Sequence, residues 1–316
     1  MPGSDLSGMY EQTKILREQP RLLNRVNEIY TKAFQPNLSR EEERALSGVR
    51  FELPSDGDPV LGYYSNYQTK AITMSAPSLL FFEDLCTAYA WLYVNQYRLE
   101  TIEEYFTMLK YKTPAEFGGH YLPPLAALHV PQNALDDSKV AGLAFRFRNT
   151  GWAFIMGHEL GHIRFQHKFY SALPASVAQA NEEQADRFAL ELMRRVSEIP
   201  MGALLFFQSG VYYFANRADF ESDQAWKDYL SKTARHPLTS RRLRSLSESV
   251  RSLATDFARG QPNQAQAASA FTFIGAHFAE FADYLDDSAL QRALRARAEK
   301  RSVSSLVPRR TAESVR

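Results

Sequence analysis

The sequence contains a single cysteine, Cys86, so no disulfide can form within the chain. Cys86 lies in an apolar run, and we interpret it as a thiol of the hydrophobic core. A small scaffold held together by disulfides is therefore excluded, and the composition suits a reducing compartment. The first 20 residues also lack the apolar core of a signal peptide. Together these features predict a cytoplasmic location.

Long hydrophobic runs and an excess of one charge are missing as well. The run at 76–94 contains Glu83 and Asp84, and the run at 201–215 is too short to cross a bilayer. The formal net charge is only +1, which provides no overall field for nucleic acid or anionic membrane. Glycine-rich phosphate loops and serine nucleophile elbows are absent. These absences predict a soluble protein without a transmembrane segment, nucleic-acid partner or nucleotide cofactor. They do not bear on the oligomeric state.

Aromatic residues, by contrast, are abundant, with 21 Phe and 16 Tyr, and they imply a large core or an apolar groove. Apolar residues at helical spacing predict helices over about 78–112, 150–168 and 175–196, followed by five more up to residue 300. Two short segments bounded by turn residues, 116–133 and 139–150, are predicted to form strands. We therefore expect a predominantly α fold with a small β-sheet (α+β).

The organisation along the chain suggests four regions. The tail is basic and poor in apolar residues, so it is predicted to be disordered. The predicted regions are an N-terminal helical region that could cap a cleft (1–115), a zincin-like metallopeptidase core (116–260), C-terminal helices (261–300) and the tail (301–316).

The segment "GWAFIMGHELGHIRFQHKF" contains the pattern His158-Glu159-x-x-His162. Residues four apart lie on one face of a helix, so His158 and His162 can reach the same ion. Zinc binds neutral imidazole well, and a glutamate after the first histidine can act as the general base of a metallopeptidase. The pattern also occurs by chance in ordinary helices, so other ligands must support it.

Supporting ligands are present on the next predicted helix, in "NEEQADRFALEL". Glu182 and Asp186 are four residues apart and share a face, so Glu182 can be the third zinc ligand. Asp186 can then accept a hydrogen bond from the outer nitrogen of a zinc-bound histidine. Ala185 and Ala189 would allow this helix to approach the histidine helix closely. Glu183 is the rival ligand, but it is rotated by about 100°.

A third group of polar residues follows in "ARHPLTSRRLRSL". His236 could donate a hydrogen bond to the oxyanion of a tetrahedral intermediate, although an incidental histidine at a helix start is the alternative. Arg242 could hold either that histidine or the Asp186 carboxylate. His167, near the end of the first helix, is not on the ligand face, and we interpret it as a charge partner of the helix terminus.

These blocks, His158-Glu159-x-x-His162, Glu182-x-x-Ala185-Asp186 and His236-Pro237-x-x-x-x-Arg242, resemble those of HtpX-type and CaaX-type gluzincin endopeptidases, in the same order. The resemblance implies that His158, His162 and Glu182 bind one zinc ion per chain. It also implies that Glu159 is the general base, Asp186 supports a ligand and His236 contacts the transition state. The first two blocks are similar to ImmA/IrrE-type metallopeptidases too, and the motif and size resemble the Lit-type peptidase.

The sequence therefore predicts a soluble zinc-dependent endopeptidase that acts on a protein or peptide. The substrate is expected to pair with an edge strand at about Leu125 to Val130. One alternative is a regulatory or defence protease with a single protein substrate, as in the ImmA/IrrE and Lit types. Another is a non-catalytic regulatory protein in which the metal staples two helices together, and a third is a scaffold without metal.

Overall fold

The computed structural model describes residues 6–168, 173–232, 238–259 and 263–310. It is 71% helical and contains a small three-stranded sheet, which confirms the predicted predominantly α fold. The α-helices are α1 Gln12–Glu28, α2 Arg40–Leu46, α3 Ala76–Val94, α4 Glu100–Tyr111, α5 Pro124–Ala127, α6 Ser138–Arg164, α7 Ala175–Arg195, α8 Met201–Tyr213, α9 Asp223–Lys232, α10 Ser240–Arg259, α11 Gln264–Asp286 and α12 Ser288–Lys300. The strands are β1 Arg50–Glu52, β2 Tyr63–Asn66 and β3 Ala71–Met74.

Helix α6 lies at the centre of the fold, and α3, α7 and α8 pack around it. Its C-terminal half is buried on nearly every side, from Thr150 to Ile163. A helix surrounded in this way can be apolar on all faces, and its buried polar groups must find partners inside the protein. The polar groups in this stretch include the two histidines and the glutamate of the His-Glu-x-x-His pattern. The fold thus encloses that pattern within the core.

The start of α6 differs from the prediction. Residues 139–150 do not form a strand but the first turns of this helix, which begins at Ser138 and is capped by the Asp137 side chain. The alternating letters of "FRFR" suggested a strand, but the buried positions Val140, Ala144 and Phe147 follow helical spacing. The other predicted strand, 116–133, contains a 3₁₀ turn and the short helix α5.

The sheet is formed by residues for which no strand was predicted. β3 is the central strand, pairing parallel with β1 and antiparallel with β2. Asn66 pairs with Ala71 at the closed end of the β2–β3 hairpin, and Tyr63 pairs with Met74 at its other end. β2 is thus an edge strand of this sheet, and it packs against α6. This places one strand edge next to the helix that carries the histidines.

The predicted long helix at 78–112 is divided into α3 and α4. The chain turns at Gln96, whose φ of 59° is left-handed, and Tyr97 N–H donates to the Leu92 carbonyl. Ser197 ends α7 in the same way. Both helices end in a Schellman motif, in which the left-handed residue is usually glycine. The described part of the chain contains no helix that is long and apolar enough to cross a membrane.

The segment predicted to be a disordered tail also differs in its described part. Residues 301–310 include a 3₁₀ turn, Val303–Ser305, and Leu306 is fully buried in the main core. Arg301 pairs with Glu104 of α4 at 2.5 Å. Burial of these few apolar side chains and this ion pair hold the basic segment against the helices. Residues 311–316 lie outside the described residues.

Candidate metal centre

Two helices bring three potential metal ligands together. The Nε2 atoms of His158 and His162 on α6 are 2.9 Å apart. Each of them is 3.5 Å from a different carboxylate oxygen of Glu182 on α7. All three side chains are buried, and their ligand atoms lie within 4.8 Å of one another. This group could therefore hold a metal ion.

The donor set can be tested against the geometry of zinc. Ligands about 2.0–2.1 Å from a tetrahedral zinc ion lie roughly 3.3 Å apart. The two distances of 3.5 Å are close to this value, and the distance of 2.9 Å between imidazoles needs only a small outward movement of the rings. Two imidazoles and one carboxylate also form a known ligand set of catalytic zinc. The residues present thus fit such an ion.

Small residues allow the two helices to approach. A Cβ atom added to Gly161 would lie 3.0 Å from the Cα of Ala185, and one added to Gly157 would lie 3.0 Å from the Cα of Ala189. These contacts are with backbone, which cannot move aside as a flexible side chain can. The alanines expected to permit close packing therefore do so opposite two glycines. This contact sets the distance between the histidines of α6 and the acids of α7.

We expect Gly161→Ala to weaken metal binding by pushing α7 away from α6. Overpacking of this kind costs about 1–3 kcal/mol of stability. The affinity for zinc, measured by competition with a coloured chelator, should fall more than tenfold. Gly142→Ala is the matched control, since a Cβ atom there would meet nothing within 4 Å. Equal affinities in both variants would contradict this role of Gly161.

A buried ion-pair network supports the cluster from one side. Asp186 lies 2.8 Å from Nδ1 of His158 through Oδ1. Arg242 on α10 donates to both oxygens of Asp186, at 2.7 and 2.8 Å, and its third nitrogen lies 2.5 Å from Oε2 of Glu182. One guanidinium therefore holds both Glu182 and Asp186. This arrangement is bidentate, which makes it the stronger form of such contacts.

Acidic side chains outnumber basic ones among the described residues of this site. Glu159, Glu182 and Asp186 are three buried carboxylates, and Arg242 is the buried cation among the described side chains that faces them. With neutral imidazoles, these groups sum to −2 when ionised. A divalent cation is a ligand that such a group of buried carboxylates attracts. The acidic character of the described side chains and the donor geometry thus point to the same kind of ligand.

The pKa shifts in the network have physical causes that can be separated. Burial alone would raise the pKa of Asp186, but Arg242 and the bond to His158 lower it overall. Burial alone would lower the pKa of His158, yet the bond to Asp186 and the charge of Glu182 raise it overall. Both shifts favour the charged forms, so Asp186 is ionised and, without a metal, the protonated ring of His158 is stabilised. When a metal takes the place of the proton on Nε2 of His158, the ionised Asp186 accepts the hydrogen bond from Nδ1–H.

His167 differs from its predicted role at the helix terminus. It lies beyond the end of α6, and its Nδ1 is 2.8 Å from Nδ1 of His162. Its Nε2 is 3.1 Å from the side-chain oxygen of Gln184 on α7. Burial lowers the pKa of His167, which favours the neutral ring. His167, for which no role in this site was predicted, is therefore a direct neighbour of the candidate ligand His162.

An apolar pocket opens beside the cluster. Glu159 faces this pocket together with His158, Glu182 and Arg242. The cavity volume of the pocket is about 70 Å³. The remaining walls are apolar or aromatic side chains and one glycine. They come from the start of β2 and the residues before it, from α8 and the residue after it, and from the segment before α10. These residues are Leu61, Tyr63, Phe206, Phe207, Gly210, Phe214 and Leu238. A pocket of this kind can receive an apolar group next to the candidate metal ligands.

The structure separates the predicted site residues into three groups. It brings together His158, Glu159, His162, Glu182, Asp186 and Arg242. It places the rival ligand Glu183 outside the cluster, with Arg241 at 3.1 Å and Arg187 at 3.9 Å. His236 lies outside the described residues.

The comparisons with known proteins agree with a hydrolytic site. Residues 130–260 match the family model of Peptidase U49, and this segment contains the helices α6 to α10. The match supports a peptidase and hence a protein or peptide substrate. No curated protein and no solved structure matches the chain.

Proposed function

We propose that the protein is a zinc-dependent endopeptidase in which His158, His162 and Glu182 hold one metal ion. The observation that carries the proposal is the buried three-ligand cluster with Glu159 beside it in an open pocket. The match of residues 130–260 to a peptidase family supports the same conclusion. A bound zinc ion would polarise the substrate carbonyl and lower the pKa of a coordinated water.

The side chains of the chain would divide the remaining work. Glu159, which faces the pocket, would accept a proton from the attacking water and pass it to the leaving amine. Asp186 would hold His158 in the tautomer that leaves Nε2 free, and Arg242 would keep Asp186 ionised. His236 is proposed to donate a hydrogen bond to the developing oxyanion. Leu238, two residues further on, lines the pocket.

We propose a different position for the substrate from the edge strand predicted at Leu125 to Val130. Residues 125–130 cannot provide an edge strand, because they form the end of α5 and a turn with a left-handed His129. β2 is the edge strand that reaches the site, since Tyr63 lines the pocket. We propose that the substrate backbone pairs with the outer edge of β2, which would place one apolar side chain in the aromatic pocket.

A metal that only staples the helices together is the alternative. Structural zinc sites are usually closed by four protein ligands, whereas a catalytic site keeps one position open. Three ligand atoms among the residues that the structure describes, beside a pocket that a carboxylate faces, are therefore arguments for the catalytic site. The staple would have no use for Glu159.

The test is the metal content of two adjacent glutamate variants. Glu182→Ala should reduce bound zinc to less than about one tenth of the wild-type value, since a three-ligand site loses its only anionic ligand. Glu183→Ala should keep about one zinc per chain, since Glu183 faces Arg241 and Arg187 instead. Zinc is measured by mass spectrometry on protein never exposed to chelator. A wild-type protein without metal, or equal losses in both variants, would refute the ligand set.

A further inference from the structure

The two candidate ligands of α6 are supported by different partners. His158 has the Asp186 carboxylate at its outer nitrogen, at 2.8 Å. His162 has the imidazole of His167 in the equivalent position, also at 2.8 Å. A metal-ligating histidine usually donates its other N–H to a carboxylate, a carbonyl or water. The support of His162 by a second histidine is the unusual feature of this site.

The end of α6 explains how His167 reaches His162. Gln166 has a left-handed φ of 56°, and its N–H bonds to the Ile163 carbonyl. The next N–H, that of His167, donates to the His162 carbonyl at 2.9 Å. These two bonds define a Schellman helix end, which brings the residue after the left-handed one back against the last turn. An apolar contact usually accompanies this motif, and here a bond between imidazoles takes its place.

The hydrogen positions along this chain of groups follow from chemistry. If Nε2 of His162 holds a metal, its Nδ1 must carry the proton and act as a donor. Nδ1 of His167 must then be the acceptor, so the neutral His167 ring carries its own proton on Nε2. That proton points at the side-chain oxygen of Gln184, 3.1 Å away. Each donor therefore has an acceptor, and one tautomer of each ring satisfies the whole chain.

We propose that His167 is a positioning residue, which Gln184 orients and which in turn fixes the ring and tautomer of His162 for metal binding. The inference rests on the proposed metal site. It assigns a function to the turn after α6, which connects the first ligand helix to the second. Gln184 lies two residues after Glu182 on α7. This helix therefore supplies both a candidate ligand and the residue that orients His167. The contact between α6 and α7 that determines the position of Glu182 therefore also determines the position of His167.

The test is the zinc affinity of full-length variants, measured by competition with a coloured chelator. His167→Phe keeps a ring but removes the acceptor, and it should bind zinc about 10–100-fold more weakly than the wild type. His167→Asn offers a side-chain oxygen near the position of Nδ1 and should recover most of the affinity. Gln166→Gly is the matched control, because glycine adopts the left-handed turn freely and should leave the affinity within about threefold.

A spectroscopic measurement separates positioning from mere stability. Nitrogen-15 spectra of the imidazole rings in the zinc-loaded protein should show protonated Nδ1 in His162 and protonated Nε2 in His167. Wild-type zinc affinity in His167→Phe, or a proton on Nδ1 of His167, would overturn the inference while the metal site stands. A wild-type protein that binds no zinc would overturn the metal site and this inference together. Weak zinc binding in Gln166→Gly as well as in His167→Phe would assign the loss to the turn and overturn the proposed role of the His167 ring.

Discussion

Glu159→Gln is expected to retain zinc and to lose peptide hydrolysis. The side chain is almost completely buried, with 3% exposure, and it faces the pocket beside the candidate metal ligands. Glutamine has the same size but cannot accept a proton at neutral pH. Removal of a general base typically reduces a rate by about 10²–10⁴-fold. The affinity for zinc should stay near the wild-type value, since Glu159 is not part of the ligand cluster.

The rate can be measured without knowledge of the natural substrate. Wild type and variant are incubated with a library of peptides from digested proteins, and new amino termini are counted by mass spectrometry. Glu183→Gln provides the matched control, because it makes the same chemical change on α7 outside the cluster. Hydrolysis within tenfold of the wild type, with zinc bound, would assign the base to another group. Loss of zinc in Glu159→Gln would show that the residue maintains the site instead.

The ligand cluster could be predicted because its geometry is local. His158 and His162 are one helical turn apart, and so are Glu182 and Asp186. Any helix displays such pairs on one face, whatever surrounds it. Ala185 and Ala189 correctly indicated which face would meet α6 closely. Once two helices carry complementary pairs and small residues, few packing arrangements remain, and one of them forms the site.

Helix ends were harder to predict, because the usual signal is absent. A left-handed residue after a helix is most often glycine, but here Gln96, Gln166 and Ser197 take that conformation. The sequence therefore gave no sign that 78–112 would break or that the chain would turn back after α6. The position of His167 depends on Gln166, so this partner of His162 could not be found. Its link to Gln184 depends in addition on the packing of α7.

The sheet could not be predicted because its strands have only three or four residues. Alternation needs a longer stretch to stand out, and β3 is buried at every position. The segment with a better strand pattern, "AFRFR", lies in the first turns of α6, where Ala144 and Phe147 are buried at helical spacing and Phe145 is exposed. Tertiary packing outweighed local preference there. The edge strand beside the site was therefore assigned to the wrong part of the chain.

Arg242→Met should cause the largest loss of stability among the changes considered. Arg242 is 5% exposed and holds both oxygens of Asp186 and one oxygen of Glu182. Methionine fills similar space but leaves two buried carboxylates without their cation. Breaking a buried ion pair from one side costs about 3–5 kcal/mol. In chelator, the free energy of unfolding in urea should fall by this amount.

The neighbouring arginine supplies the control. Arg241 pairs with Glu183, but its side chain is 74% exposed, so Arg241→Met should cost less than about 1 kcal/mol. Saturating zinc should reduce the loss in Arg242→Met, because a dication replaces part of the missing positive charge, and it should leave the small effect in Arg241→Met unchanged. Equal losses in the two variants would mean that Arg242 is not the main counter-charge of the site. A large loss that zinc does not reduce would separate the ion-pair network from metal binding.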